Sequence, residues 1–253
     1  MAPILHCTRH AQGEHNVGGA YFIHDPSLTE VGYEQCRVLE ETFPYQSSID
    51  VIVSSPLRRT LDTALCSFKP AISRGVKIVA LPELQEISSV ASDTGSEVSM
   101  LEKEFSKQIG PSGPIIDLSL LDERWYVKEG KYTPSSEALI ARAKAARQWL
   151  RARPEKVIVV VGHGGFLHYL TNDWSGIGDA EHACAWENCH FRSYHFTDDE
   201  DAAIVETEES RAARGGTGVV PSKEQEQLYL RTMQLWEDRG FQNPLKMNSN
   251  PIS

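Results

Sequence analysis

The run from Val157 to Val161 constrains the fold of this chain more than any other stretch. Its five residues are all β-branched, and no polar residue interrupts them. A continuous apolar run of this length, followed at once by Gly162 and His163, is typical of a parallel strand that is covered on both faces. The run therefore predicts a central strand of a mainly parallel sheet.

Four further apolar runs are predicted to be strands of the same sheet. They cover residues 3–7, 50–54, 76–81 and 189–196, and helical periodicity separates several of them. Alternation of strands and helices favours a parallel sheet with helices packed on it. The predicted fold class is α/β, a three-layer α/β/α sandwich with a mainly parallel central sheet and a lid-like insertion.

Two helices have recognisable starts. Thr29 is a good N-cap, and Cys36 and Leu39 then recur at helical spacing on one face. Thr133-Pro134 places a proline at the first helical position, which predicts a helix that continues to about Arg153.

The chain is predicted to form a single domain over residues 1–253. Periodicity weakens at 88–131, where Gly, Pro and Ser are frequent, so we interpret this stretch as an insertion over the sheet edge and a lid. The acidic stretch at 197–221 is predicted to be a flexible loop, and residues 222–240 a closing helix.

Composition excludes several functional classes. A formal net charge of −10 argues against an extended nucleic-acid surface, and no apolar run approaches the roughly 20 residues that span a bilayer. Five cysteines without a pairing pattern favour reduced thiols, so we expect a cytoplasmic protein with no membrane or nucleic-acid partner, either monomer or homodimer.

Charged and imidazole side chains follow three of the predicted strands. Arg9 and His10 follow the first, Arg58 and Arg59 the second, and His163 the strand at 157–161. Ligand-contacting groups gather at the carboxyl ends of parallel strands. Guanidinium groups neutralise phosphoryl oxygens, one neutral imidazole can attack phosphorus, and a second imidazole, if protonated, would stabilise the transferring group. A carboxylic acid at the pocket mouth would protonate the leaving group.

Four separated blocks resemble those of the histidine phosphatase superfamily, on its phosphoglycerate-mutase-like branch, over most of residues 3–196. In chain order they are Arg9-His10-Ala11 with Asn16; Leu28-Thr29 with Gly32 and Gln35; Ser55, Leu57 and Arg59 with Thr63-Ala64; and His163-Gly164. Ala11 departs from the pattern, because the family usually has Gly there.

The resemblance implies a role for each of these side chains. His10 would become phosphorylated, and Arg9, Asn16, Arg59 and His163 would hold the phosphoryl group. The family places an acidic Glu after a leucine behind the third strand. Both Leu84-Gln85-Glu86 and Leu81-Pro82-Glu83 fit this short pattern, with Glu86 favoured.

Substrate contacts are less constrained. His15 lies inside the first loop, and Trp125 with Tyr126 could offer a stacking surface, although both could equally be core residues. The cluster formed by His182, Cys184, Cys189, His190 and His195 matches no familiar zinc spacing, so we expect neither a metal nor a cofactor.

The sequence predicts a metal-independent phosphomonoesterase that acts on a small phosphorylated metabolite through a phosphohistidine intermediate. One alternative is a phosphoglycerate-type mutase, although the residues around Glu86 lack the Asn-Glu-Arg-like block of such mutases. The other is a non-catalytic phospholigand-binding protein, for which Ala11 is the one argument.

Overall fold

A computed structural model describes residues 2–175, 186–216 and 222–238 of the chain. Nine strands are defined in these residues: β1 (Ile4–Arg9), β2 (Val51–Ser54), β3 (Ile78–Ala80), β4 (Ile109–Gly110), β5 (Gly113–Pro114), β6 (Ile116–Asp117), β7 (Val157–Gly162), β8 (Phe191–Phe196) and β9 (Ile204–Glu206). The helices are α1 (Glu30–Thr42), α2 (Arg58–Ser67), α3 (Lys69–Ser73), α4 (Val98–Phe105), α5 (Ser136–Arg151), α6 (Gly164–Thr171), α7 (Glu208–Ala213) and α8 (Ser222–Asp238).

Seven of the strands form one sheet in the order β6-β3-β2-β7-β1-β8-β9. The five strands from β6 to β1 are parallel, whereas β8 and β9 are antiparallel to their neighbours. In β7, Val159 lies between His6 of β1 and Ile52 of β2. The prediction of a mainly parallel sheet with residues 157–161 at its centre is confirmed.

Alternate residues of β7 enter two different cores. Ile158 and Val160 pack in the cluster that contains Leu139 of α5 and Phe166 of α6. Val159 and Val161 pack on the other face, in the cluster that contains Leu39 of α1 and Leu61 of α2. Since successive side chains of a strand point to opposite faces, two cores mean helices on both sides of the sheet. This is the predicted three-layer arrangement.

The helix starts agree with the sequence at one site and differ at the other. Thr29 caps α1, because its hydroxyl accepts a hydrogen bond from the Gly32 amide at 3.0 Å. Helix α5 begins at Ser136, two residues later than Pro134 would place it. The Ser135 hydroxyl accepts from the Ala138 amide at 3.3 Å, so the serine provides the cap and the proline lies outside the helix.

The segment 88–131 is more than an insertion over the sheet edge. It contains α4 and the β4-β5 hairpin, and its strand β6 pairs with β3 to become the edge of the main sheet. Whether the segment also works as a lid remains a prediction.

The prediction of a flexible loop at 197–221 is wrong for its first part, while residues 217–221 lie outside the described ranges. Strand β9 pairs with β8, and Thr207 caps α7. Ala202 and Ile204 are buried, and the acidic Glu206 accepts from Arg214 at 2.7 Å. The acidic composition of this stretch gave no indication that two of its residues are buried in the core or that Glu206 is paired with an arginine.

The closing helix is present as α8, and it packs on the end of α6. The Trp236 ring lies 6.0 Å from that of Trp174 and 6.3 Å from that of Tyr169, between ring centroids. The predicted stop at Gly240 falls outside the described residues. Across the helices that the structure describes, none is long and apolar enough to cross a membrane.

Candidate active site

Three neighbouring strand ends bring His10, Arg59 and His163 together. His10 follows β1, Arg59 lies in the first turn of α2 after β2, and His163 follows β7, which lies between those two strands. The ring centroids of the two histidines are 5.2 Å apart. All three side chains are buried and meet at the carboxyl edge of the sheet, where the sequence places them.

Hydrogen bonds set the tautomer of His10. Its Nδ1 lies 2.7 Å from the carbonyl oxygen of Ala11, and a carbonyl can only accept, so Nδ1 carries the proton. Nε2 then has a free lone pair, which accepts a 3.3 Å hydrogen bond from the Arg59 Nε–H. Burial, followed by the charges of Arg59 and Arg9, holds the pKa of His10 well below its usual value. His10 is therefore a neutral imidazole with its unprotonated nitrogen directed at the Arg59 guanidinium.

His163 is held by two partners of opposite kind. Its Nδ1 accepts from the Arg59 Nη2–H at 3.1 Å, and its Nε2–H donates to the Ser55 hydroxyl at 2.8 Å. Burial first, and Arg59 second, lower the pKa of His163 well below its usual value. The sequence left open a protonated second imidazole, whereas burial beside Arg59 favours a neutral one.

Arg59 is the hub of the pocket. Besides the two histidines, its guanidinium donates to the carbonyl oxygen of Ser92 at 2.6 Å and contacts the Asp93 carboxylate at 3.4 Å. Its neighbour Arg58 points elsewhere and pairs with Glu104 at 2.9 Å. The structure thus distinguishes the two adjacent arginines as the resemblance implied.

Arg9 and Asn16 lie beside these residues and have different hydrogen-bond partners. Arg9 Nη1 donates to the Trp186 carbonyl oxygen at 2.6 Å, while its buried Nε has no hydrogen-bond partner in the described part of the chain. The Asn16 carbonyl oxygen accepts from the Gly13 amide at 3.0 Å, and its Nδ2 lies 3.1 Å from His15 Nε2. Asn16 therefore holds the first loop through contacts within that loop.

The Leu-Thr-x-x-Gly-x-x-Gln block supports this loop. A Cβ at Gly32 would lie 2.2 Å from the Gln12 carbonyl oxygen, which excludes any side chain at that position. Gln35 accepts from the Gln12 amide at 2.8 Å. Both residues of α1 therefore fix the backbone two residues after His10.

The Glu86 side chain lies against the amino end of α6, the helix that begins directly after His163. Its carboxyl oxygens accept from the amides of Ile87, Gly165 and Phe166 at 2.9, 3.2 and 2.9 Å. A Cβ at Gly165 would lie 2.7 Å from one of these oxygens, so the approach requires glycine. Burial, followed by the charge of Asp93, raises the pKa of Glu86.

The competing carboxyl group of Glu83 is in a different environment. It pairs with the exposed Lys131 at 2.8 Å, in a short 3-10 turn at Pro82–Leu84. Glu86 therefore contacts the start of the helix that follows His163, whereas Glu83 forms an ion pair with an exposed lysine.

The three predicted substrate contacts have different positions. The His15 ring lies 5.5 Å from that of His10, and burial lowers its pKa to about 2. Trp125 is fully buried in the core against Gly95, which agrees with the second of the two interpretations that the sequence left open. Tyr126 is half-buried and packs edge-on against Trp125, with 6.1 Å between the ring centroids.

Ala11 fits its position without strain. It is fully buried against Leu28 and Cys36, keeps a negative φ, and its amide donates to the Thr63 hydroxyl at 3.0 Å. A methyl group is therefore accommodated where the family usually has Gly.

Several polar residues near Glu86 were missed by the sequence reasoning. Lys128 donates to Gln85 Oε1 at 2.9 Å and to the Glu86 carbonyl oxygen at 3.3 Å, and Arg142 donates to the Gln85 carbonyl oxygen at 2.9 Å. Desolvation by burial lowers the pKa of Lys128 to about 7. Their contacts join residues more than 40 positions apart, a distance at which a single sequence carries no signal.

Among the described residues, no group of three or more His, Cys, Asp and Glu side chains is placed to hold a metal ion. His182 and Cys184 of the possible zinc cluster lie outside the described ranges. Of the others, His195 is exposed on β8 while Cys189 packs beside Cys36.

Comparison with known proteins assigns the class. Residues 5–208 match the family model of the histidine phosphatase superfamily (branch 1), and the chain belongs to that superfamily. A probable phosphatase of Schizosaccharomyces pombe is 30% identical over 166 residues, which cover 63% of this chain and 73% of that protein.

Phosphoglycerate mutase-like protein 1 of Arabidopsis thaliana is 29% identical over 204 residues, 66% of this chain and 70% of that protein. The crystal structure of the alpha-ribazole phosphatase from Shigella flexneri shares the fold, with a TM-score of 0.52 and 22% identity over 86% of this chain and all of the other.

Proposed function

We propose that this protein is a phosphomonoesterase that removes the phosphoryl group from a small phosphorylated metabolite through a phosphohistidine at His10. The observation that carries the proposal is the fixed tautomer of His10. Its Nδ1–H is bound to a carbonyl oxygen and its Nε2 lone pair faces the Arg59 guanidinium. A nucleophile next to a cation that binds phosphoryl oxygens is the arrangement that phosphoryl transfer needs.

The first step transfers the phosphoryl group to the protein. An incoming phosphoryl group takes the Arg59 N–H donors that the histidines occupy in the free protein, and Arg9 Nε offers a further donor. The bond from His10 Nε2 to phosphorus forms as the bond to the leaving oxygen breaks. Glu86 gives its proton to that oxygen, and its raised pKa favours the protonated form that this requires.

The second step restores the free protein. Water attacks the phosphorus of phospho-His10, its proton returns to the Glu86 carboxylate, and the nitrogen–phosphorus bond breaks to release phosphate. Ser55 keeps the His163 ring in place beside the phosphoryl group through the 2.8 Å hydrogen bond. None of these steps assigns a role to a metal, so we propose a metal-independent enzyme.

Release of phosphate from an aryl phosphate tests the proposal. His10→Ala should abolish turnover, by at least roughly 10⁴-fold, because no other group replaces a deleted nucleophile. His195→Ala is the matched control, since His195 is an exposed histidine on β8. Full activity in His10→Ala would refute the mechanism, and a loss of activity with EDTA would refute metal independence.

A mutase is distinguished by its product. The similarity to a phosphoglycerate mutase-like protein makes 3-phosphoglycerate the informative substrate. We expect free phosphate from it, or from a panel of phosphorylated sugars, nucleotides and amino acids. An isomer without free phosphate would establish the mutase, and binding without either product would establish a phospholigand-binding protein.

A further inference from the structure

His15 carries a buried nitrogen that makes no hydrogen bond. The residue lies in a short 3-10 turn at Glu14–Asn16 of the first loop, between β1 and α1, and it is 5% exposed. Its Nδ1 is buried and has no hydrogen-bond partner in the part of the chain that the structure describes. Buried polar groups of folded proteins are paired as a rule, so an unpaired nitrogen beside a candidate active site indicates a contact that a ligand completes.

Asn16 determines which nitrogen of His15 carries the hydrogen. The Asn16 carbonyl oxygen accepts from the Gly13 amide at 3.0 Å, so its amide nitrogen is the atom that lies 3.1 Å from His15 Nε2. The opposite orientation of this amide would set two donors against each other at Gly13. Because an amide nitrogen only donates, Nε2 is the acceptor and Nδ1 carries the hydrogen. The unpaired group is therefore an N–H donor that needs an acceptor.

The His15 ring lies beside the proposed nucleophile. The ring centroids of His15 and His10 are 5.5 Å apart, close to the 5.2 Å between His10 and His163. Glycine at position 13 leaves space for the ring, because a Cβ there would lie 2.9 Å from His15 Nδ1 and Cε1. The Gly13 backbone is extended, with a φ of −97° that any residue can adopt, so the ring and not the backbone conformation requires the glycine.

The His15 ring is uncharged at neutral pH. Burial, followed by the charges of Arg59 and Arg9, lowers its pKa to about 2. The two guanidinium groups supply the positive charge for an anion, whereas His15 supplies a hydrogen bond without a further charge. A neutral N–H is less costly to bury beside two cations than a third cation would be.

We infer that His15 is a phosphoryl-binding residue, whose Nδ1–H donates to a non-bridging oxygen of the group bound at His10, and that Asn16 is a positioning residue that fixes this tautomer. The inference rests on the proposed function, since it assumes a phosphoryl group beside His10. His10, Arg59 and His163 are at most 1% exposed, so the side chains of the site must move when that group enters. The same movement exposes His15 Nδ1–H to the oxygen.

Nitrogen-15 NMR of the histidine rings tests the tautomer and the contact in one titration. The His15 signals, assigned by their absence in His15→Gln, should show the hydrogen on Nδ1, and inorganic phosphate should move the Nδ1–H proton resonance downfield. In Asn16→Asp the new carboxylate accepts from the ring, so the hydrogen should move to Nε2. A hydrogen on Nε2 in wild-type protein, or an Nδ1–H resonance that does not move at saturating phosphate, would overturn the inference.

Phosphate affinity, measured by isothermal titration calorimetry, gives the strength of the contact. His15→Phe keeps a flat ring without the donor and should weaken the binding of inorganic phosphate about tenfold, the loss of one hydrogen bond to a charged group. His15→Gln keeps an N–H donor and should bind phosphate more tightly than His15→Phe. His24→Phe is the matched control and should bind as wild type, since the exposed His24 ring donates to the Gly95 carbonyl oxygen at 3.1 Å.

Neither measurement requires turnover. Equal phosphate affinity in wild type and His15→Phe, or no phosphate binding to wild-type protein, would overturn the inference even if the protein hydrolyses aryl phosphates. Wild-type protein that shows the expected NMR shift and hydrolyses no phosphomonoester would refute the phosphatase proposal and leave the His15 contact established. Should His15→Phe fail to fold, the tautomer and the phosphate-induced shift in wild-type protein still decide the question.

Discussion

The two ends of the pocket are built in different ways. The phosphoryl end consists of His10, Arg59 and His163, each fixed at the end of a buried parallel strand or in the helix turn that follows. The proposed leaving-group end consists of Glu86 and Lys128, which lie outside the strands and the α-helices between β3 and α5. The first end is set by the strand ends of the sheet, and the second by the connecting segment between β3 and α5, which also contributes the edge strand β6.

In the proposed mechanism, this difference separates phosphoryl binding from proton transfer. Groups on rigid strand ends would hold the phosphoryl group in a fixed position, which every phosphomonoester needs. Groups on a connecting segment meet the part of the substrate that differs from one phosphomonoester to the next. Variants at the first end should therefore affect all substrates equally, and variants at the second end should discriminate among leaving groups.

The largest effect should come from the hub of the phosphoryl end. Arg59→Met should lower kcat/KM by roughly 10³-fold on aryl and alkyl phosphates alike, because it removes the cation at the developing charge. Arg58→Met is the matched control, since Arg58 pairs with Glu104 and should change kcat/KM by less than about threefold. Initial rates of phosphate release measure both, and comparable losses in the two variants would erase the distinction between the arginines.

A smaller and selective effect is expected at the leaving-group end. Glu86→Gln should reduce kcat on an alkyl phosphate by roughly 10²-fold, the lower range for general acid catalysis, and on 4-nitrophenyl phosphate by much less. Glu83→Gln should leave both rates within about twofold, because its surface ion pair with Lys131 contributes little. If Glu83→Gln gives the selective loss instead, the acid has been assigned to the wrong carboxyl group.

The smallest effect tests the contact that joins the two ends. In Gly165→Ala the new methyl group would lie 2.7 Å from a Glu86 oxygen and must displace it from the amides of α6. We expect about a tenfold loss on alkyl phosphates and an unchanged rate on aryl phosphates. Gly18→Ala is a control for the loss of glycine, since its Cβ would meet nothing within 4 Å, although its φ of +64° adds local strain. Equal rates for Gly165→Ala and wild type on alkyl phosphates would show that the carboxyl position is not critical.

The phosphoryl end was accessible from sequence because its residues follow apolar runs. Val157–Val161 and the run before Arg9 predict strands, and polar residues immediately after parallel strands meet at one edge. The second motif block contains Gly32, where a Cβ would lie 2.2 Å from the Gln12 carbonyl oxygen and no side chain fits. At these residues the local sequence pattern is enough to predict the position in the fold.

The leaving-group end was only partly accessible, because its contacts are not local. Lys128 meets Gln85 across 43 residues. The choice between substrate contact and core residue stayed open for Trp125 for the same reason: an aromatic residue in an aperiodic segment gives no indication that Gly95 leaves a core position for it. In the acidic stretch before α7, one apolar residue, Ile204, is not enough to predict a strand among charged neighbours, although it is buried.

The measurement that most directly tests the central claim is the chemical trapping of a phosphorylated intermediate. Wild-type protein mixed with a phosphorus-32-labelled substrate and quenched in alkali should carry label on the peptide that contains His10, and acid should release it. His10→Ala should carry none. Steady release of phosphate without labelled protein, or label that survives acid on another residue, would contradict the account.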